Sequence, residues 1–191
     1  MKSNLTIVYI TGYLDDTKNN LSVFLKKNLK KEFNFITLKT FSENKKWGVK
    51  NTLNNIEKEL KKIKSEKIIC ISHSLGCYFS LKLEPYFEKL ILCEPSRNLE
   101  DIFPKRKSYQ KLEKYEEIIS KIDKNIYIFG AKQAGYKIAE KYNKHLTIKI
   151  PLEILPTDHN FSTKKSKNDL LLKINKIIKK PPIPRRFAIY G

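Results

Sequence analysis

Nowhere in the 191 residues do apolar side chains run for the roughly 18 positions that a membrane-spanning helix needs, so the sequence offers no such span. Cysteine is equally scarce. Cys70, Cys77 and Cys93 are odd in number, lie in apolar segments and show no CxxC spacing. That excludes a disulfide framework and a zinc-ligand set, and leaves the expectation of buried, reduced thiols. The start, Met1-Lys2-Ser3-Asn4, leads into an apolar stretch from Leu5 to Ile10 that is too short for a signal-peptide core and lacks a small-residue cleavage site. A cytoplasmic chain is therefore expected, and the sequons at Asn4, Asn20 and Asn160 would then carry no glycan.

Acidic residues are the minority charge: 20 Asp and Glu face 39 Lys and Arg, a formal net charge of +19. Such an excess favours polyanions, anionic surfaces or acidic partners. The lysines are scattered along every expected helix, however, and a Lys-, Asn- and Ile-rich coding bias accounts for the same excess without any partner. With 40% hydrophobic residues the chain can build one sizeable core, and the low-hydrophobicity signature of disorder is missing. One globular unit is expected over residues 1–180. A basic, proline-rich tail, 181–191, follows; its Pro181-x-x-Pro184-x-Arg186 fits a proline-motif ligand only as a short and commonly accidental pattern.

Short apolar runs alternate with segments of helical period, the pattern of βαβ units and a mostly parallel sheet. Strands are expected at Leu5 to Ile10, Phe33 to Leu38, Lys67 to Ile71, Lys89 to Cys93, Asn125 to Phe129 and, as an edge strand closed by Pro151, Leu146 to Ile150. Helices are expected from about Asn20 (Leu21, Phe24, Leu25, Leu29 on one face) and from about Trp47 (Leu53, Ile56, Leu60, Ile63). Further helices are expected after Gly76 through about Leu83, over Tyr109 to Ile122, over about Gln133 to Lys144, and over Lys167 to Lys180.

Chemistry concentrates at Ser72-His73-Ser74-Leu75-Gly76. A serine on a sharp turn between a strand and a helix is held in strained backbone geometry that pushes its hydroxyl out at the carboxyl edge of the sheet. The turn crowds the positions two before and two after the nucleophile, so both must be small; Ser72 and Gly76 satisfy this. Serine is a weak nucleophile until a base takes its proton. His73 adjoins Ser74 and should point away from it, and His145 sits near a helix end. His159 lies in a loop after the last expected strand and is the candidate base. For the oxyanion, Leu75 N–H offers one donor and Tyr13 N–H, in the loop Thr11-Gly12-Tyr13-Leu14, a second.

The acid is the open position. In the order Ser, acid, His it is expected after the strand Asn125 to Phe129, where Gly130-Ala131-Lys132-Gln133 presents no carboxylate. Glu94, at the tip of the preceding strand, is the leading candidate; Gln133 could orient the imidazole through its amide oxygen, and Asp158, adjacent to His159, is poorly placed to bond its ring.

With these motifs the chain resembles the small single-domain serine hydrolases related to retinoblastoma-binding protein and similar bacterial esterases. The likeness rests on Ile10-Thr11-Gly12-Tyr13, Trp47, Ser72-His73-Ser74-Leu75-Gly76-Cys77 and Asp158-His159-Asn160-Phe161. It implies an α/β-hydrolase fold, a mostly parallel central sheet flanked by helices with no large lid domain, and a Ser, Asp, His triad cleaving ester or amide bonds without metal or cofactor. Ser74 and His159 match that nucleophile and base; the family aspartate falls on Gln133, and Thr11 replaces its first-loop histidine. Two other functions compete: a binding protein on a catalytically impaired hydrolase scaffold, and binding of nucleic acid or an anionic surface through the basic faces and tail.

Overall fold

Successive side chains of a strand point to opposite faces. In β1 (Leu5–Ile10), Ile7 and Tyr9 face one side while Val8 and Ile10 face the other; in β3 (Lys67–His73), Ile69 and Ile71 oppose Cys70. Strands apolar on both faces need cover on both, which is the condition of a parallel sheet between helical layers. In the computed structural model, which describes residues 4–12, 20–40, 48–95, 112–122, 125–133, 140, 144 and 150–181, that is the arrangement found. β2 (Asn34–Leu38), β4 (Lys89–Cys93), β5 (Asn125–Ala131) and β6 (Leu152–Leu155) complete one all-parallel sheet, in the order β2-β1-β3-β4-β5-β6.

One face is covered by α2 (Val49–Leu60), α3 (Gly76–Lys82) and α4 (Tyr115–Ser120), which bury Val49, Ile56, Leu60, Phe79, Tyr115 and Ile119 against Val8, Leu90 and Ile128. The other is covered by α1 (Asn20–Leu29) and the last helix, α5 (Lys164–Lys179). Leu21, Leu25 and Leu29 repeat every four residues on α1, and Leu170, Ile174, Ile177 and Ile178 form the buried stripe of α5. Each such side chain contributes about 1.5–3 kcal/mol on leaving water. Thr163 caps α5 by accepting from Ser166 N at 3.1 Å. Among the described residues no helix is long and apolar enough to cross a membrane.

The other end of α5 is closed by a buried cation. Lys89 opens β4 and is 2% exposed; its Nζ donates to the carbonyls of Ile177 (3.0 Å), Ile178 (3.2 Å) and Lys180. These belong to the last turn, whose carbonyls a helix leaves largely without internal donors. Burial pulls the Lys89 pKa below its ordinary value, so the charge is held against a desolvation cost that the helix-end carbonyls offset.

Several boundaries differ from expectation. β3 runs on through His73 and β5 through Ala131, because pairing with their neighbours continues to the sheet edge. α2 begins at Val49 and ends before Ile63, α4 begins only at Tyr115, and α5 begins already at Lys164, where Thr163 supplies the cap. The edge strand is Leu152–Leu155, not the expected 146–150: Ile150 is outside any strand and Pro151, without an N–H, can only accept there, its carbonyl taking Ile128 N at 2.9 Å. Residues 146–149, Trp47, Tyr109, the helix expected over 134–143 and the tail beyond Pro181 lie outside the described residues.

Candidate active site

Ser74 immediately follows β3 and has φ +51°, a left-handed conformation uncommon for a residue with a side chain. Its N–H donates to Cys93 O at 3.0 Å, one residue past the β3–β4 ladder, while its own carbonyl accepts from Cys77 N at 3.0 Å to start α3. The chain thus turns from strand to helix at this one residue. Crowding explains its neighbours. A Cβ on Gly76 would stand 2.4 Å from Ile10 O and 2.5 Å from Thr11 O, so only glycine fits. Ser72 is fully buried and its hydroxyl pairs with that of Ser80 at 2.9 Å. Leu75, just before the first helical residue, carries one of the N–H groups that a helix start leaves without an internal acceptor.

The loop after β1 presses against this turn. A Cβ on Gly12 would lie 3.2 Å from Ser74 Cβ and 3.5 Å from His73 O. Thr40, just past β2, holds that loop by donating from its hydroxyl to Gly12 O (2.7 Å) and from its N–H to Thr11 Oγ1 (3.2 Å); Thr52 of α2 in turn donates to Thr40 O at 3.2 Å. Neither threonine was singled out by sequence reasoning, and isolated hydroxyls in polar stretches give no periodic signal to find them by. Tyr13, like His145, lies outside the described residues.

His159 sits in the loop that follows β6. The chain after β5 ties this loop down, with Lys132 N donating to Leu155 O (2.8 Å) and Gln133 N to Thr157 O (3.0 Å). Within the loop, Asp158 accepts from Ser162 N at 2.9 Å and from the Ser162 hydroxyl, bonds that hold its carboxyl below the usual aspartate pKa. Phe161, fully buried at φ +51°, plugs the loop into the core. The elbow and this loop meet at His73. Its Nε2 lies 2.9 Å from His159 O and, with a carbonyl as partner, donates; its ring centroid is 5.0 Å from that of His159 and 6.3 Å from that of Phe161. Ser74 and His159 therefore both border His73 at the carboxyl edge of the sheet.

Glu94 follows β4 at φ +50° and is 1% exposed. Its N–H donates to Phe129 O at 2.7 Å, and its carboxylate accepts from Ala131 N at the end of β5. The side chain thus reaches the end of the neighbouring strand, two residues before the position where an acid was expected in the chain and where Gln133 is exposed. Asp158 directs its carboxylate to Ser162.

No protein-family model and no curated protein matches the sequence. Solved structures do match the fold. Est1E from Butyrivibrio proteoclasticus superposes with a TM-score of 0.73 over 94% of this chain and 90% of its own, at 15% identity. Alpha/beta hydrolase domain-containing protein 10 from mouse gives 0.69 over 91% and 89%, at 14% identity. The ydeN gene product of B. subtilis gives 0.71 over 94% of this chain and the whole of its own, at 15% identity. The fold is that of the α/β-hydrolases. Within this fold, the turn after β3 packs against the loop after β1 at Gly12 and meets the loop after β6 through His73.

The cysteines beside this hydrolase elbow are free and buried. Burial pushes the Cys77 thiol up to about 12 and those of Cys70 and Cys93 well above their ordinary value, so all three stay protonated at neutral pH. Among the described residues no group of three or more His, Cys, Asp or Glu is placed to hold a metal ion.

Proposed function

We propose that the chain is a serine hydrolase that cleaves a carboxylic ester, thioester or amide through an acyl-enzyme on Ser74. The observation that carries this reading is the positive φ of Ser74 at a strand-to-helix turn, with the Gly12 backbone pressed against it and the His159 loop one residue away. In the proposed reaction the Ser74 hydroxyl attacks the substrate carbonyl while His159 accepts its proton. The oxyanion of the tetrahedral intermediate is held by Leu75 N–H and Tyr13 N–H. Thr40 contributes by gripping Gly12 O, since a carbonyl and the amide that follows it share one planar unit. Collapse expels the leaving group, protonated by His159; water, deprotonated by the same imidazole, then releases the acid and restores Ser74.

Glu94 is the proposed acid, supported by its burial and by its reach to Ala131 N at the end of β5. Several fold neighbours carry esterase or hydrolase in their descriptions, which agrees with this chemistry. The proposed setting is the cytoplasm, where unpaired thiols such as these persist. No cofactor is invoked.

A fluorophosphonate probe tests the reading. Wild type should be labelled and Ser74→Ala should not; equal labelling of both, or none of either, would refute it. Glu94→Gln keeps an oxygen able to accept from Ala131 N, so the fold should survive while kcat toward a p-nitrophenyl ester falls by about 10²–10⁴. Full activity in that variant would remove Glu94 from the mechanism and favour Gln133. A protein with no turnover that gains none from Gln133→Asp would instead be a binding protein on this scaffold.

A further inference from the structure

The nucleophile and base of the proposed reaction come from distant parts of the sheet. Ser74 follows β3, near its centre, whereas His159 follows β6, the strand at its margin. In the order β3-β4-β5-β6 three strand spacings separate them, about 14 Å at roughly 4.8 Å per step. β6 is also only four residues long. Proton transfer needs heavy atoms within about 3 Å, and an offset of about 1 Å can cost a hundredfold in rate. A ladder running through two intervening strands to a short edge strand is an indirect way to hold that spacing.

One side chain makes the connection directly. His73 is the last residue of β3, is 2% exposed, and pairs with Cys93 of β4. Ser74, next in the chain, is tied to the same strand through its N–H to Cys93 O. Ser72 faces Ser80 of α3, so strand alternation turns His73 to the opposite face, where Phe161 lies. From there Nε2 of His73 donates to His159 O at 2.9 Å. The ring is confined on two flanks. Phe161 meets it edge-on, and a Cβ at Gly12 would stand 3.6 Å from Nδ1, so the donor has little freedom to point elsewhere. The other anchors of this loop act on neighbours of His159, with Gln133 N on Thr157 O and Ser162 N on the Asp158 carboxylate. The bond from His73 acts on His159 itself. A carbonyl oxygen lies in one plane with the Cα of its own residue, so holding His159 O fixes the point from which the His159 imidazole projects.

We infer that His73 is a positioning residue for the proposed base. It ties His159 to the strand end that carries Ser74, so the spacing of nucleophile and base is set from β3 rather than through the margin of the sheet. This role rests on the reading of Ser74 and His159 as nucleophile and base.

Steady-state hydrolysis of a p-nitrophenyl ester by the full chain tests it, in wild type, His73→Leu, His73→Asn, His73→Gln and His159→Ala. A glutamine amide extends to where Nε2 of an imidazole lies and can donate to the same carbonyl, whereas an asparagine amide ends near the position of Nδ1 and falls short of it. His73→Leu and His73→Asn should lower kcat by about tenfold to a hundredfold with KM within about twofold of wild type, and His73→Gln should recover kcat to within about threefold. Thermal melts establish that each variant is folded; a role confined to stability would lower the melting temperature and leave kcat of the folded protein unchanged. A measurement on wild type stands whether or not the variants fold. Nitrogen-15 NMR of the three histidines should show one imidazole, assigned through its proximity to Phe161, whose Nε2 carries a proton protected from exchange. If wild type neither turns over the ester nor takes the fluorophosphonate label, the proposed function fails and this role with it. If wild type is active, this role alone fails when His73→Leu keeps the kcat of wild type, when His73→Gln is no better than His73→Leu, when KM rises while kcat holds, or when Nε2 of His73 carries no proton. A loss in His73→Leu as complete as in His159→Ala, without rescue by glutamine, would make His73 the base and overturn the assignment.

Discussion

Ser74, Glu94 and Phe161 are the non-glycine residues at positive φ among those described, and each borders the candidate active site. A conformation of this kind costs on the order of 1–3 kcal/mol and persists only where the surroundings impose it. Here each strained residue has its own amide tied down: Ser74 N to Cys93 O, Glu94 N to Phe129 O and Phe161 N to Asp158 O. The first two bonds extend the sheet ladder one residue past its strands, so the sheet itself supplies the constraint. The elbow glycine is under the opposite constraint, that of space. Gly76→Ala sets a methyl 2.4 Å from a backbone oxygen that belongs to a central strand and cannot retreat. Chemical denaturation should show a loss of about 3 kcal/mol, toward the upper end for overpacking; a variant as stable as wild type would mean that β1 yields at this point.

At the scale of elements, α5 depends on one side chain from the sheet. Lys89→Ala leaves the carbonyls of Ile177, Ile178 and Lys180 without their shared donor. The loss should be about 2–4 kcal/mol by thermal unfolding, because these are hydrogen bonds to a charged group. Hydrogen exchange should show the last turn of α5 opening first, and uniform protection there would count against this role for Lys89.

The same scale shows what could be read from the sequence. β1 and β4 are largely apolar runs flanked by polar residues, Asn4 and Thr11 for one and Glu88 and Glu94 for the other, and their limits match residue for residue. β6 escaped because Leu-Glu-Ile-Leu is four residues long and owes its strand geometry to Ile128–Ala131 of β5 rather than to its own composition. The strand-turn-helix at Ser74 was legible because its three parts are contiguous in the chain. The reach of Glu94 to Ala131 and the grip of Thr40 on Gly12 join residues 37 and 28 positions apart, and no local pattern announces either.

Across the whole molecule, the strained residues gather at one end of the sheet. The hydrogen-bonded turn at Ser74 and the histidine loop occupy the carboxyl edge, while the amino edge carries the Lys67–Glu88 pair and the buried Lys89. The net charge of +19 was legible from composition, but where it is left unneutralised depends on which helices end beside which strands.

The sealed sulfurs give this molecule a built-in reporter. Cys70, Cys77 and Cys93 each show 0% exposure and are spread over β3, α3 and β4, so a bulky disulfide reagent such as Ellman's should titrate none of them in the native protein and all three in denaturant. Where labelling outpaces reclosing, the rate at which colour develops under native conditions would measure how often the centre of the sheet comes apart. A sulfhydryl that reacts at once would show that one of these strands breathes independently of the rest.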